Sequence, residues 1–412
     1  MWPELKGLLD SKFFKITNYF IFLTVFLAVF YFSWSRPNYL KYQLENFSPN
    51  HIYFIFFCFY TLSVSYTLLS FAQILKINHF WKVYWSLILL LFFTPPLLSM
   101  DVGAYILSAK NLISADTKVY LDALRGTATW TTEMNNVWWL NYPTVYGPVF
   151  LVIALISLAS SSFGLLAMIF SYKLIVIVAF FLILYIFWIS ARDSGLSKNN
   201  FYLLALNPAL LINWVVEGHN DVFLALGILA CVYYLNQKKI YSAWLTAILT
   251  IFIKYTSLIF SPILIFENGK LKLNKLISFI GIIILTFSVF FKLSGLDLKL
   301  FLDNLVFLKS CFYRCSPLVF LSRLFSDYHG LIRLGLFSFL YGLIVWRYLY
   351  KQTDHLKFIF WSGACLFFVQ TTWLTPWYPT ILIPVGLLIK DKKYLFLVVL
   401  ITWYSLLHYV VL

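Results

Sequence analysis

Apolar runs of bilayer length recur along almost the whole chain, and they fix the fold class before any motif is considered. About 20 consecutive apolar residues are needed to cross a hydrocarbon core. Candidate runs lie at 16–34, 51–75, 84–100, 165–190, 200–216, 221–236, 240–253, 255–267, 276–292, 329–350, 357–373, 377–390 and 394–412. Hydrophobic residues fill 62% of the 412 positions and charged residues only 11%, whereas soluble domains carry about 25% charged residues. The sequence therefore reads as an all-α polytopic membrane protein, one integral membrane domain over 1–412. The opening MWPELKGLLDSKFFK runs straight into an apolar segment too long for a signal-peptide core, so the first span is expected to remain as an anchor.

Lysine and arginine set the expected topology, because cytoplasmic loops collect them. With Lys12 and Lys15 inside, Lys76 and Lys82 also fall inside and the stretch 101–145 falls outside. Arg192/Lys198, Lys238/Lys239, Lys270/Lys272/Lys275, Arg347/Lys351 and Lys390/Lys392/Lys393 can all be inside only if 146–163 and 165–190 together make an odd number of crossings. The expectation is that 146–163 dips into the outer leaflet without spanning. That gives about 13 transmembrane helices, an external C-terminus and two long external loops, 101–145 and 293–328. The net charge of +15 suits nucleic acid poorly, since the positive residues are spread over short loops and form no stripe. Setting topology and meeting anionic lipid account for them.

Against this background a few polar stretches stand out. INWVVEGHNDVFLALG, residues 212–227, gathers Glu217, His219, Asn220 and Asp221 between two apolar runs. A charge inside a membrane is costly, so such groups normally face a cavity, a partner or the interface. Pro208 and Gly218 are expected to kink and loosen the helix that leads into the cluster. One histidine with neighbouring acids lacks the repeated ligand spacing of metal motifs, which makes a metal centre the weaker use of these residues. Asp101, in SMDVGAYILSAKNL, follows an apolar run; a half-buried carboxylate there can serve as a general base or simply end a helix at its unfavoured C-terminal side. LNYPTVYGPVF, with Pro143, Gly147 and Pro148, reads as a turn re-entering the membrane. Lys254 in LTIFIKYTSLIFSP can bind a phosphate or snorkel to the surface, and Lys173 is a further cation within a span. PWYP, residues 376–379, sets aromatics and prolines at a span mouth. Cys58, Cys231 and Cys365 lie in apolar runs as packing residues, whereas Cys311 and Cys315 lie in a polar loop where a disulfide is an option.

In their order, DVGAY, YGP, NP followed by GHND, the lone lysine of FIKYTSLIFSP and PWYP resemble the GT-C class of membrane glycosyltransferases. Within it, the sequence is similar to the bacterial polyprenol-phosphate-mannose-dependent alpha-mannosyltransferases over about residues 95 to 390. The resemblance implies a GT-C type helical fold with short interfacial or re-entrant helices in the first large external loop. It also implies an integral enzyme of the cell membrane whose active site faces outside. The reaction implied is transfer of a sugar, mannose by family default, from a polyprenyl-phosphate donor to a lipid- or glycan-linked acceptor, with inversion. Asp101 matches the aspartate taken as the base of such enzymes. Lys254, His219, Asp221, Asn220 and Arg125 are the expected donor- and phosphate-binding residues, with Lys110 and Arg333 in support. Tyr105, Tyr146, Trp377 and Tyr378 are expected to meet sugar or lipid, as are Trp138, Trp139 and Trp373. Many relatives in the wider class pair acids in the first loop around a metal ion. Here Val102 and Gly103 follow Asp101, which points to the branch that uses neither metal nor other cofactor. Two rival readings stay open: a transporter or flippase for lipid-linked sugars, and a glycan polymerase or ligase using Arg314, Arg323 and His329 of the late external loop.

Overall fold

The computed structural model describes residues 11–34, 49–71, 80–99, 101–114, 144, 146–267, 270–294, 329–351, 354–371 and 374–411. They form a helical bundle. Helices α1 (Lys12–Trp34) and α2 (Pro49–Phe71) pack together, and α3 (Phe80–Phe92) and α4 (Asp101–Ser114) follow. Helix α5 (Pro148–Leu155) continues as a 3₁₀ stretch, Ile156–Phe163, that turns at Gly164 into the long α6 (Leu165–Asp193). After α7 (Lys198–Ala205) come α8 (Asp221–Asn236), α9 (Ile240–Ile251), α10 (Leu273–Ser294), α11 (His329–Lys351), α12 (His355–Cys365), α13 (Leu382–Leu388) and α14 (Lys392–Val411). Among the described residues the only strand pairing is two residues long, Phe266–Glu267 against Lys270–Leu271.

Among the described residues four helices are long and apolar enough to cross a membrane: Ile16–Trp34, Asn50–Ser70, Leu165–Asp193 and Leu331–Lys351. The chain is thus a membrane protein, but several of the thirteen expected spans are not single straight helices. The run 200–216 breaks where Asn207 caps a new turn, its side chain accepting the N–H groups of Ala209 and Leu210, with Pro208 in the first helical position. A π-helical turn, Leu211–Val216, follows. The run 255–267 is a 3₁₀ stretch, Tyr255–Phe260, followed by the short helix Pro262–Ile265. The run 377–390 holds only the seven residues of α13 behind another 3₁₀ stretch, Tyr378–Ile381. The 3₁₀ and π turns carry chemistry-bearing residues at or beside their ends, as single π turns often do.

Aspartate 101 does not end the helix before it. It opens α4, separated from α3 by an irregular segment, so its carboxylate stands at the favourable end of a helix dipole. Ser99 Oγ accepts the Asp101 backbone N–H at 3.2 Å. Nearly all of α4 is buried. Of the first large loop, residues 115–143 lie outside the described residues, with Arg125, Trp138 and Trp139 among them. So do Trp373 and residues 295–328, which include Cys311, Cys315, Arg314 and Arg323. Cys58, Cys231 and Cys365 are free and buried, as packing residues should be.

Two wholly buried charges hold the segment that leads into Asp101. Lys173, in the first third of α6, donates to the carbonyl of Leu91 (3.0 Å), which also accepts the Thr94 N–H, and to that of Thr94, just beyond the end of α3. Its long stem does not reach water. Glu217 accepts the backbone N–H groups of Leu97, Leu98 and Ser99 at 2.9, 3.0 and 2.9 Å. The two side chains also act on each other electrostatically. One meets carbonyls and the other amides of the segment 91–99, whose backbone groups need partners inside an apolar protein; the Trp34 indole and the Ser33 hydroxyl supply two more by donating to Phe93 O and Pro95 O at 2.8 Å each. That requirement explains why an apolar protein retains both charges.

Next to Glu217 the chain reverses at Gly218, whose φ of +69° is left-handed and whose Cβ position would meet Val102 Cγ2 at 2.8 Å. The YGP turn is tied elsewhere: the N–H of Gly147 donates to Ile253 O and that of Val149 to Phe252 O. A Cβ on Gly147 would fall 1.9 Å from Phe252 O, so only glycine allows this approach and thereby sets Tyr146 close to the Lys254 segment.

Replacing Glu217 by Gln keeps its shape but turns an amide NH₂ toward backbone donors and leaves Lys173 without its counter-charge. Glu217→Gln is expected to destabilise the protein by about 3–5 kcal/mol, the usual cost of breaking a buried charge pair. Thermal unfolding in detergent checks it, and an unchanged transition would mean that the carboxylate does not hold the segment.

Candidate active site

The polar residues singled out in the sequence come together from five parts of the chain. Asp101 is 6% exposed. Its Oδ2 receives a long hydrogen bond from the Tyr105 hydroxyl, one helical turn along α4, at 3.5 Å, and stands 3.5 Å from His219 Nδ1. His219 is itself wholly buried and lies flat on the Trp377 indole, with ring centres 3.7 Å apart and planes 17° apart. Trp377 meets Tyr378 edge-on at 6.2 Å. The Lys254 ammonium stands 3.8 Å over the Tyr378 ring and bonds Asp221 Oδ1 at 2.8 Å. The cluster therefore runs without a gap from Asp101 through His219, Trp377 and Tyr378 to Lys254 and Asp221. It joins the Asp101 carboxylate to an ion pair of Lys254 and Asp221.

Local folding delivers each member. His219 follows the π turn and the left-handed Gly218, which swing it back over Asn213; its backbone N–H donates to Asn213 O at 3.0 Å. Asp221 opens α8, where a carboxylate faces the positive end of the helix. Lys254 is an extended residue (φ −151°, ψ 112°) between α9 and the 3₁₀ stretch Tyr255–Phe260, so its side chain leaves the helical stack toward Asp221. Trp377 and Tyr378 come from the PWYP turn ahead of α13.

Tyrosines close one side. Tyr105 packs edge-on to Tyr146 (5.0 Å) and to Phe150 (4.9 Å), and Tyr146 contacts Phe150 at 5.1 Å. Burial first, and then the Asp101 carboxylate, hold the Tyr146 phenol well above the usual tyrosine range, so it stays a neutral hydrogen-bond group. Two polar atoms of neighbouring residues lie buried with no hydrogen-bond partner among the described residues, Asn220 Nδ2 and Asp221 Oδ2. Buried polar atoms are nearly always paired, so an unused donor and an unused acceptor at one place are what a polar ligand would satisfy. Lys254, with its side chain 17% exposed, is the member of the ion pair that water can reach.

The cluster thus brings together Asp101, Tyr105, Tyr146, His219, Asp221, Lys254, Trp377 and Tyr378, with Asn220 next to Asp221 in the chain, whereas Arg125, Trp138, Trp139 and Trp373 lie outside the described residues. Lys110 is nine positions along α4 from Asp101, about 13 Å of helix. Arg333 is half-buried near the start of α11. Lys173 and Glu217 serve the segment before Asp101 rather than a ligand. Three residues were not read from the sequence. Tyr172 stands between Tyr105 and Phe223, its hydroxyl buried and without a hydrogen-bond partner among the described residues, and Asn213 and Tyr409 lie behind His219. Among 28 tyrosines in an apolar chain, neither of these two carries a local signal. Among the described residues no group of three or more His, Cys, Asp or Glu side chains is arranged to hold a metal ion.

The comparisons bear on this arrangement directly. The family model described as alpha-(1->6)-mannopyranosyltransferase, N-terminal domain, matches residues 44–267, just over half of the chain. The match takes in Asp101, Tyr105, Tyr146, His219, Asn220, Asp221 and Lys254, while Trp377, Tyr378 and Tyr409 lie beyond it. No curated protein and no solved structure matches the chain. A membrane-embedded helical bundle with this match over most of its polar cluster is a glycosyltransferase, and the chain belongs to the alpha-(1->6)-mannopyranosyltransferase family.

Proposed function

We propose that the protein moves a mannosyl group from a polyprenyl-phosphate donor to a hydroxyl of a lipid- or glycan-linked acceptor. We place the reaction at the external face of the cell membrane, within a GT-C type fold. The observation that carries this reading is the continuous contact between a buried carboxylate, Asp101, and a cationic end, Lys254 paired with Asp221. Glycosyl transfer from a phosphate needs those two ends. One takes the proton of the attacking hydroxyl and the other meets the charge left on the phosphate.

In this reading the acceptor oxygen attacks the anomeric carbon from the side of Asp101. The bond from that carbon to the phosphate oxygen breaks, and its electron pair stays on the phosphate. The acceptor proton goes to Asp101. Attack opposite the leaving group inverts the configuration. Phosphate leaves readily as an anion, so the second end supplies charge and hydrogen bonds and no acid is needed. The Lys254 ammonium has three N–H donors. One is used by Asp221 and one face lies on Tyr378, which leaves a donor for phosphate oxygen without breaking the ion pair. Asn220 Nδ2 adds a second donor. Asp221 keeps Lys254 extended toward the site, and its spare Oδ2 suits a sugar hydroxyl. Tyr105 and Tyr146 wall the sugar on the Asp101 side, and Trp377 and Tyr378 form the floor between the two ends.

Two outcomes follow. With polyprenyl-phosphate mannose in liposomes, Asp101→Asn lowers kcat by about 10²–10⁴, the usual contribution of a positioned base, with little change in donor KM. Lys254→Met instead raises donor KM about tenfold, the effect of losing one charge-assisted hydrogen bond. Full activity in Asp101→Asn removes Asp101 as base, and no transfer by the unaltered protein to any acceptor hydroxyl, water included, removes the reading itself. Separately, EDTA is expected to leave the transfer rate unchanged. Loss of activity on chelation, restored by Mg²⁺ or Mn²⁺, would require a metal ion in the site.

A further inference from the structure

His219 has two ring nitrogens with different neighbours, and a chain of hydrogen bonds behind it decides which one carries a proton. The chain starts at a backbone carbonyl. Asn213 Nδ2 donates to Ala209 O at 2.8 Å, and because a carbonyl only accepts, the amide oxygen of Asn213 must face the other way. That oxygen, Oδ1, receives the Tyr409 hydroxyl at 2.6 Å. The single hydroxyl proton of Tyr409 is then used, so toward His219 Nε2, 3.4 Å away, Tyr409 presents an oxygen lone pair. Nε2 is accordingly the nitrogen that holds the hydrogen. Nδ1, on the opposite edge, is left facing Asp101 Oδ2 at 3.5 Å. Nδ1 has no hydrogen-bond partner among the described residues, although the whole ring is buried.

We infer that His219 is a positioning residue for Asp101, its proton fixed on Nε2 by the chain Ala209–Asn213–Tyr409 so that Nδ1 shares the proton Asp101 takes from the acceptor. The inference rests on Asp101 being the base. During reaction the acceptor hydroxyl loses its proton to Asp101, and the proton settles between Oδ2 and Nδ1. The anomeric bond to phosphate breaks in the same step and takes its electron pair to the phosphate, so charge balances. In the opposite tautomer a hydrogen on Nδ1 would already occupy the Asp101 oxygen and weaken it as a base. Trp377 holds the ring plane, and the bond from His219 N to Asn213 O ties the backbone to the residue that orients Tyr409. Asn213 therefore fixes both the position and the tautomer of His219.

The test uses the full chain in liposomes, labelled with ¹⁵N-histidine, with His219→Gln assigning the signal. Nε2 of His219 is expected to be protonated in the unaltered protein. In Tyr409→Phe, which keeps the buried ring and removes only the oxygen, the signal is expected to move toward the Nδ1-protonated tautomer. With polyprenyl-phosphate [³H]mannose as donor and octyl α-mannoside as acceptor, Tyr409→Phe should lower kcat about tenfold and leave donor KM within twofold. Thermal unfolding identifies a variant that is merely unstable. Nδ1-protonated His219 in the unaltered protein overturns the inference, as does a folded Tyr409→Phe with unchanged tautomer and kcat. If Asp101→Asn remains active, the base assignment fails instead, whatever tautomer the spectrum records.

Discussion

The candidate site depends on one buried carboxylate that is taken up by backbone amides. Glu217 gathers three consecutive backbone N–H groups, Leu97 to Ser99, and so gives the segment before Asp101 a single conformation inside an apolar protein. Hydrogen bonds to an ionised acceptor are each worth about 1.5–3 kcal/mol, and amides left without a partner cost about as much. Lys173 does the complementary work on the carbonyls of Leu91 and Thr94. The alternative, an irregular segment at membrane depth with unpaired backbone groups, is what membrane proteins avoid. With the segment held, α4 starts at Asp101, and the next polar residue on the Glu217 strand of chain, His219, reaches the same carboxylate. One turn of chain both builds the loop and furnishes the site.

A second constraint is charge neutrality. Lys254 does not stand as a free cation in the fold; it is paired with Asp221 and covers Tyr378. The pair lets a lysine sit in a largely buried place without ligand and without shifting the balance of charge. A phosphate can join such a pair through the donors it leaves open. The two ends of the cluster are bridged by Trp377 and Tyr378, which come from outside the stretch matched by the family model. The matched half holds the ionisable groups, and the remainder supplies the aromatic surface between them.

The sequence made some of this legible and hid the rest for definite reasons. The ionisable groups were visible because each interrupts an apolar run, and Asp101, His219, Asp221 and Lys254 do meet. What residue types alone could not reveal is which backbone groups would lack partners. Glu217 looked like one of four equivalent polar residues until the amides of Leu97, Leu98 and Ser99 were found around it. Lys173 read only as a further cation within a span, and two carbonyls occupy it. Asp101 was expected at a helix end and opens a helix, because the run 84–100 stops being helical at Phe92. Hydropathy counts apolar residues but does not register the π turn at Leu211–Val216 or the 3₁₀ stretches, so runs counted as spans proved to be broken segments. Tyr409 and Asn213 gave no signal, since a tyrosine in an aromatic-rich helix and an asparagine in an apolar one acquire meaning only when their partners are known.

The central claim is that Asp101 and Lys254 are the two ends of one reaction path across Trp377 and Tyr378. A structure of the protein with a non-transferable polyprenyl-phosphonate mannose analogue measures this directly. The account predicts the phosphonate oxygens within hydrogen-bond distance of Lys254 Nζ and Asn220 Nδ2, with the anomeric carbon turned toward Asp101. A phosphonate bound away from Lys254, or an anomeric carbon whose open face points away from Asp101, would contradict it.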